Sequence, residues 1–224
     1  DVVTDLLTVA RGVTTEKKPR NLNVLINEFM ESPEYLRIKS SHPDITCEIA
    51  LAENLYLVAC SEIHIKKCLM NLLTNALEAM DNQGSLSLTT RNRTLKEDQR
   101  YNGKLQHAKY VTLRISDTGP GISDEDIDHI FEPFYSRKVM GRSGTGLGLA
   151  VVWNTVHDHG GTIHVSSSAS GTEFEINLPA TEELESELPQ SVDAASLLGR
   201  GEKILVIDDE DQQRDVASTM LASM

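Results

Sequence analysis

Between Ser61 and Met80 the apolar residues repeat at a period that a helix satisfies and a strand does not. Ile65, Leu69, Leu72, Leu73, Ala76 and Met80 fall on one face, and Asp81-Asn82-Gln83-Gly84 stops the pattern. Helical spacing also runs through the first eleven residues, where Val2, Leu6 and Val9 sit beside Val3, Leu7 and Ala10 until Gly12 and Pro19 end it. That stretch reads as the tail of a longer helix. Further helices are predicted over Leu22 to Met30, briefly after Ser123, and from the "MGRSGTGLG" loop to about His159. Strands are predicted at "DITCEIAL", "LYLVAC", "SLSLTTR", "YVTLRIS", "GGTIHVSS" and "TEFEINLP". Alternation is clearest where Val111, Leu113 and Ile115 share a face, and where Phe174, Ile176 and Leu178 alternate with Glu173, Glu175 and Asn177.

Helices and strands in this mixed order, with hairpin-like neighbours, place the chain in the α+β class. The predicted architecture is a two-layer α/β sandwich with helices on one face of a mixed sheet. Residues 1–17 are the end of the truncated helix, 18–180 the α+β domain, and 181–200 a linker that opens with the acidic run "TEELESELPQ". Structure restarts over 201–224, where Ile204 to Ile207 read as a buried strand ending in acids. Thr94 to His107 form a polar surface loop inside the domain, and no internal repeat is present.

With 224 residues, 39% of them hydrophobic, the chain can build a sizeable core. Its net charge of −13 argues against nucleic acid as a partner, since a phosphate-tracking surface needs clustered Lys and Arg. No apolar run reaches the roughly 20 residues that cross a bilayer. These residues are therefore expected to make no membrane contact and to lie in the cytoplasm, with any membrane anchor of a longer parent upstream. Cys47, Cys60 and Cys68 are odd in number and form no C-x-x-C pair, which disfavours a disulfide framework and a zinc site.

Three stretches carry possible chemistry. On the long helix, Asn71, Asn75 and Glu78 share the polar face, and the Asn carbonyls suit Mg²⁺ or phosphate-bound water as well as plain solvation. "DTGPGI" follows a strand; it is either a turn or a pocket in which Asp117 accepts an amine hydrogen bond while Gly119 and Gly121 admit a flat base. "RSGTGLGLAVV" joins flexible glycines to a helix N-terminus, where phosphate binds readily. Arg137, Lys138 and Arg142 precede it with no acid between Tyr135 and Gly148, yet no Gly-Lys-Ser/Thr of a Walker A occurs. Phe131 and Phe134 flank Pro133 at the entrance to this loop, placed to anchor one end of a lid. Ser123 and Asp126 have the spacing of a helix-capping box.

In this order the stretches resemble the ATP-binding domain of sensor histidine kinases, in the superfamily shared with gyrase-type and heat-shock-chaperone ATPases. "NLLTNALEAM" resembles its N box, "DTGPGI" its G1 box, "FEPFYSRK" its F box and "GTGLGLAVV" its G2 box, and the likeness runs from Leu22 to Pro179. The resemblance implies that ATP binds here with Mg²⁺. Asn75 would hold the Mg²⁺ with Asn71 assisting near the phosphates, and Asp117 would bond the adenine amine in a pocket shaped by Gly119 and Gly121. Lys138 and Arg142 would reach the phosphates from a lid, whose phosphate end is shaped by Gly144, Thr145, Gly146, Leu147 and Gly148.

The flanks sharpen what the resemblance implies. "DLLTVARG" is similar to the end of the dimerisation and phosphoacceptor module. "ILVIDDE" is similar to the first strand of a receiver domain, with Asp208 and Asp209 as its Mg²⁺-holding pair in an incomplete site. That order is found in hybrid kinases, so the implied function is protein histidine kinase activity within a phosphorelay. The partners are ATP, the phosphoacceptor helix of the same kinase or its dimer mate, and the receiver domain. No upstream phosphoacceptor His lies in the sequence; His157-Asp158 and His159 read as structural residues at a helix end. The fragment alone is therefore expected not to autophosphorylate. A gyrase- or chaperone-type ATP hydrolase is the second reading, weakened by Asn71 where those enzymes carry Glu. A non-catalytic nucleotide-sensing module is the third.

Overall fold

The computed structural model describes residues 16–80, 83–94, 109–136 and 145–182, together with Leu205 and Arg214. Two compact units, 1–185 and 186–224, make up the chain, and every element named below belongs to the first. In chain order these are β1 (Lys18–Arg20), α1 (Leu22–Met30), α2 (Pro33–Ser40), β2 (Ile45–Ala50), β3 (Leu57–Cys60) and α3 (Glu62–Ala79). They continue with β4 (Gly84–Thr94), β5 (Lys109–Asp117), α4 (Asp124–Ile127), α5 (Gly148–Asp158), β6 (Thr162–Ser168) and β7 (Gly171–Thr181).

The strands form one mixed sheet in the order β1-β3-β7-β5-β4-β2, with β6 also paired to β7. Only β2 and β4 run parallel; the other pairs are antiparallel. One edge of β7 follows β5, while its other edge pairs first with β6 and then, at Ala180 and Thr181, with β3. Because side chains alternate across a strand, this register lines up apolar rows on the inner face. Leu88, Ile115 and Phe174 form one row, and Val111 and Leu178 pair in another. Leu69, Leu72, Leu73 and Leu77 of α3 join the same buried cluster, as the helical period over this segment predicts.

Thr90 is the polar member of the row that holds Leu113 and Ile176, and its hydroxyl both donates and accepts. It donates to Asn23 Oδ1 of α1 at 2.8 Å and accepts from the Ala52 N–H at 3.0 Å, so a buried polar group ties a helix and a loop to the sheet. The outer face of the sheet is polar. Arg91, Arg93 and Arg114 converge there on Glu175 at 3.1, 2.9 and 2.5 Å. Beside them the Thr112 hydroxyl donates to Asn177 Oδ1 at 2.7 Å.

Two elements go beyond the sequence expectations. α2 begins with Ser32 as N-cap, its Oγ accepting from the Tyr35 N–H at 3.3 Å, and with Pro33 in the first turn. That Ser-Pro signal is present in the sequence but precedes only a weakly amphipathic helix. β1 spans three residues and exists by pairing with β3, a tertiary cause with no local signature. The cysteines are free thiols, and burial pushes those of Cys60 and Cys68 up to about 12.

Burial alone would raise the Glu175 carboxyl, but hydrogen bonds from Arg114 and Asn177 and the charges of Arg114 and Arg93 hold it below the usual glutamate range. A folded-state pKa below the unfolded one adds stability above the unfolded value, about 4.3, and loses it as pH falls through the folded one. Glu175→Gln is therefore expected to cost about 1–2 kcal/mol in urea unfolding at pH 7. The gap to wild type should close in acid below that range; a gap that persists there would assign the loss to packing instead.

Candidate functional site

α3 turns its buried stripe to the sheet, which leaves Asn71, Thr74, Asn75 and Glu78 half-buried on the adjoining face. That face is one wall of a cavity of about 1250 Å³. Asp117 at the end of β5, Gly121 and Ser123 in the following turn, and Thr145, Gly146 and Gly148 at the start of α5 complete its rim. Ala76, Ile130, Leu149 and Phe174 supply apolar lining. Seven of the residues singled out from sequence thus converge: Asn71, Asn75, Asp117, Gly121, Thr145, Gly146 and Gly148. Leu147 is fully buried behind the rim, and Gly119 contributes through its backbone rather than as lining. Lys138, Arg142 and Gly144 lie outside the described residues, as do Asp208 and Asp209.

Asp117 is 9% exposed, and its Oδ1 accepts the Gly119 N–H at 2.9 Å and the Thr172 N–H at 3.3 Å. Oδ2 has no bond to any described residue. Burial lifts the carboxyl above the usual aspartate range, opposed by the two N–H donors. A half-satisfied carboxylate beside apolar lining can accept a hydrogen bond from an N–H-bearing ligand. Thr172 escaped the sequence reading because it acts through its backbone. Its position opposite Asp117 follows from the β5–β7 register.

Gly121 adopts φ +77°, and a Cβ there would stand 1.9 Å from the Ser168 carbonyl oxygen. Its freedom lets the turn after Asp117 lie against the β6–β7 hairpin. The glycine admits the protein's own backbone, and the cavity is shaped by that approach. At the other end, Phe134 donates its N–H to the Gly146 carbonyl at 2.9 Å, and a Cβ on Gly146, at φ +68°, would stand 2.6 Å from the Phe134 carbonyl carbon. Phe134 itself has φ +69° and is 65% exposed. Both ends of the segment between Phe134 and Gly146 are thereby clasped together, with Phe131 packed on the core.

α3 and α5 are fastened at two points. Asn71 Nδ2 donates to the Gly148 carbonyl at 3.0 Å. At the far end His159, the C-cap of α5, places Nδ1 2.6 Å from the Thr155 carbonyl and accepts the Ser61 N–H at Nε2, 3.0 Å away. Accepting at Nε2 requires neutral imidazole with the proton on Nδ1, and burial pushes its pKa down accordingly. Asn75 makes no hydrogen bond to a described residue, so its amide remains available to a ligand. Among the described residues no group of three or more His, Cys, Asp or Glu is suited to a metal. The donor set here, an Asn amide, fits a cation such as Mg²⁺ that arrives already coordinated by phosphate oxygens. The first-turn N–H groups of α5, with no acceptor inside the helix, begin at the same wall.

Sequence reasoning took Ser123 and Asp126 for a capping box and passed over Tyr135. In the structure Asp126 is a buried carboxylate on the cavity wall that receives hydroxyls from Ser123 and Tyr135.

Residues 60–182 match the family model described as "Histidine kinase-, DNA gyrase B-, and HSP90-like ATPase". Sensor kinase CckA of Brucella abortus is 33% identical over 76% of this chain and 19% of its own length. Sporulation kinase D of Bacillus subtilis is 31% identical over 80% of this chain and 32% of its own length. The chain therefore spans about a fifth to a third of these relatives. Among solved structures, the catalytic domain of histidine kinase ThkA has a TM-score of 0.57 at 27% identity, covering 75% of this chain and 97% of that one. Full-length ShkA in complex with AMPPNP has a TM-score of 0.59 at 24% identity over 84% of this chain and 36% of that one, a likeness of fold. From the α3 wall to the end of β7, the chain belongs to the histidine kinase-, DNA gyrase B- and HSP90-like ATPase family.

Proposed function

We propose that this chain is the ATP-binding catalytic part of a hybrid sensor histidine kinase that presents the ATP γ-phosphate to a histidine carried elsewhere in the kinase or its dimer mate. The observation that carries this reading is Asp117: a buried carboxylate with one oxygen clamped by two backbone N–H groups and the other left for a ligand amine. Adenine presents such an amine; guanine presents a carbonyl oxygen at the equivalent position. Asn75 and Asn71 on α3 and the start of α5 then lie toward the phosphates, with Asn75 as the protein ligand to Mg²⁺. When bound, the metal neutralises phosphate charge.

Phosphoryl transfer asks the protein for positioning and electrostatic complementarity more than for covalent chemistry. Asp117 fixes the base, the α3–α5 pair fixes the distance to the phosphate end, and Lys138 and Arg142 supply cations from the segment beyond Tyr135. The acceptor histidine attacks the γ-phosphorus in line as the ADP oxygen leaves. Asn71 offers no carboxylate to activate water and is committed to Gly148, which favours transfer over hydrolysis. On this reading residues 1–17 end the phosphoacceptor helix, and 201–224 begin a receiver in which Asp208 and Asp209 hold a second Mg²⁺.

Asp117→Asn should lower ATP affinity in calorimetry by about 1.5–3 kcal/mol, at least ten-fold. Because the folded-state pKa is raised, ionised Asp117 costs the empty fold stability at neutral pH, so the melting temperature of the nucleotide-free variant should not fall. Equal wild-type affinity for GTP and ATP would refute the amine-reading role. Asn75→Ala should abolish the gain in ATP affinity that Mg²⁺ gives over EDTA while leaving adenosine binding intact; a full Mg²⁺ effect in the variant would remove Asn75 from the metal. With γ-labelled ATP, the longer parent should acquire acid-labile phosphohistidine that Asp117→Asn prevents.

A further inference from the structure

Asp126 is 7% exposed although α4 is a single turn at the edge of the cavity. A carboxylate withdrawn from water is costly unless its oxygens are well bonded. Here Oδ2 accepts from Ser123 Oγ at 2.6 Å, and Oδ1 accepts from the Tyr135 hydroxyl. Ser123 is the N-cap of α4 and makes no side-chain cap bond; its hydroxyl donates to Asp126. Tyr135 is held from a second side by a ring contact with His129 at 5.6 Å, and His129 Nδ1 lies 2.7 Å from Glu132 Oε1.

The location gives this cluster meaning. Tyr135 directly follows Phe134, whose N–H bond to Gly146 sets it beside the start of α5. Tyr135, Ser123 and Asp126 all line the cavity. Through the Phe134–Gly146 bond Tyr135 stands beside the start of α5, where phosphates are expected, and Asp126 reaches it from α4, just after the turn that follows Asp117. A tyrosine on a short loop has free rotation about χ1 unless something fixes it, and a bond to a buried charge is among the stronger ways to do so.

We infer that Asp126 is a positioning residue for the triphosphate end of the nucleotide, acting through Tyr135. Its carboxylate fixes the hydroxyl, the fixed ring sets the rim between α4 and the Phe134–Gly146 clasp, and the rim holds phosphate geometry without touching the base. The inference rests on the nucleotide reading of the same cavity. It differs from a purely scaffolding role, in which Asp126 holds α4 in place and its loss weakens the whole fold.

A double-mutant cycle separates the two, with Asp126→Ala, Tyr135→Phe and the pair measured for Mg-ATP by calorimetry, for adenosine by chemical-shift titration, and for melting temperature. Each single variant should weaken ATP binding about five-fold, the value of one hydrogen bond, with adenosine affinity unchanged. The double variant should lose no more than either single one, since both remove the same bond. Additive losses, unchanged ATP affinity, or parallel losses of ATP affinity, adenosine affinity and melting temperature would each overturn the positioning role. ATP binding by wild type with unaffected variants overturns this inference alone, whereas failure of wild type to bind ATP overturns the nucleotide reading and this inference together.

Discussion

The antiparallel register of β5 against β7 is the constraint on which the rest depends. It aligns Ile115 with Phe174 and Leu113 with Ile176, building the apolar face that receives α3. The same register sets Asp117 opposite Thr172, whose N–H helps to hold the carboxylate. A slip of one residue would turn the apolar rows to the outer face and strand Arg114 and Glu175 inside. Core and clamped cavity carboxylate are thus two products of one alignment. The outer network of Arg91, Arg93, Arg114 and Glu175 reinforces it, because those charges meet only when the strands are in phase.

Against this sheet, α3 does two jobs with two faces. Its apolar stripe closes the core, and the neighbouring strip of Asn71, Thr74, Asn75 and Glu78 forms the cavity wall. The bonds from Asn71 to Gly148 and from Ser61 to His159 keep α5 in line with it, so the start of α5 stays beside the asparagines. A rigid pair of helices and a clamped carboxylate at the sheet end make a preformed cavity. Its cost is a desolvated, partly unsatisfied acid in the empty fold, which core burial elsewhere offsets.

Much of this was legible in the sequence, for a physical reason: α3, β5 and β7 carry long, regular apolar periods set by the surfaces they bury. α1 matched its predicted span, Leu22 to Met30. Among the cavity-lining residues, those legible were ones whose side-chain type or local motif marks them, such as Asn75, Asp117 and Gly148. Thr172 was invisible because any residue except proline supplies its N–H. The Asp126–Tyr135 bond joins residues nine apart across a turn, and neither type is unusual where it stands. The glycines of "DTGPGI" are marked by their motif, whereas the close approach of Gly121 to the Ser168 carbonyl depends on the β6–β7 hairpin and has no local signature.

The strand that ends the domain lies in the middle of its sheet, with β5 on one side and β6 and β3 on the other. Most pairings of β7 therefore join residues far apart in the chain, and loop-closure entropy makes such contacts slow to form. Until β7 arrives, β5 has an open edge, Asp117 lacks Thr172, and the β1–β3 pair has no sheet to join. During synthesis the domain keeps incomplete edges until nearly all of its residues have emerged, and the part of the cavity wall that Thr172 and Phe174 supply is the last to be placed.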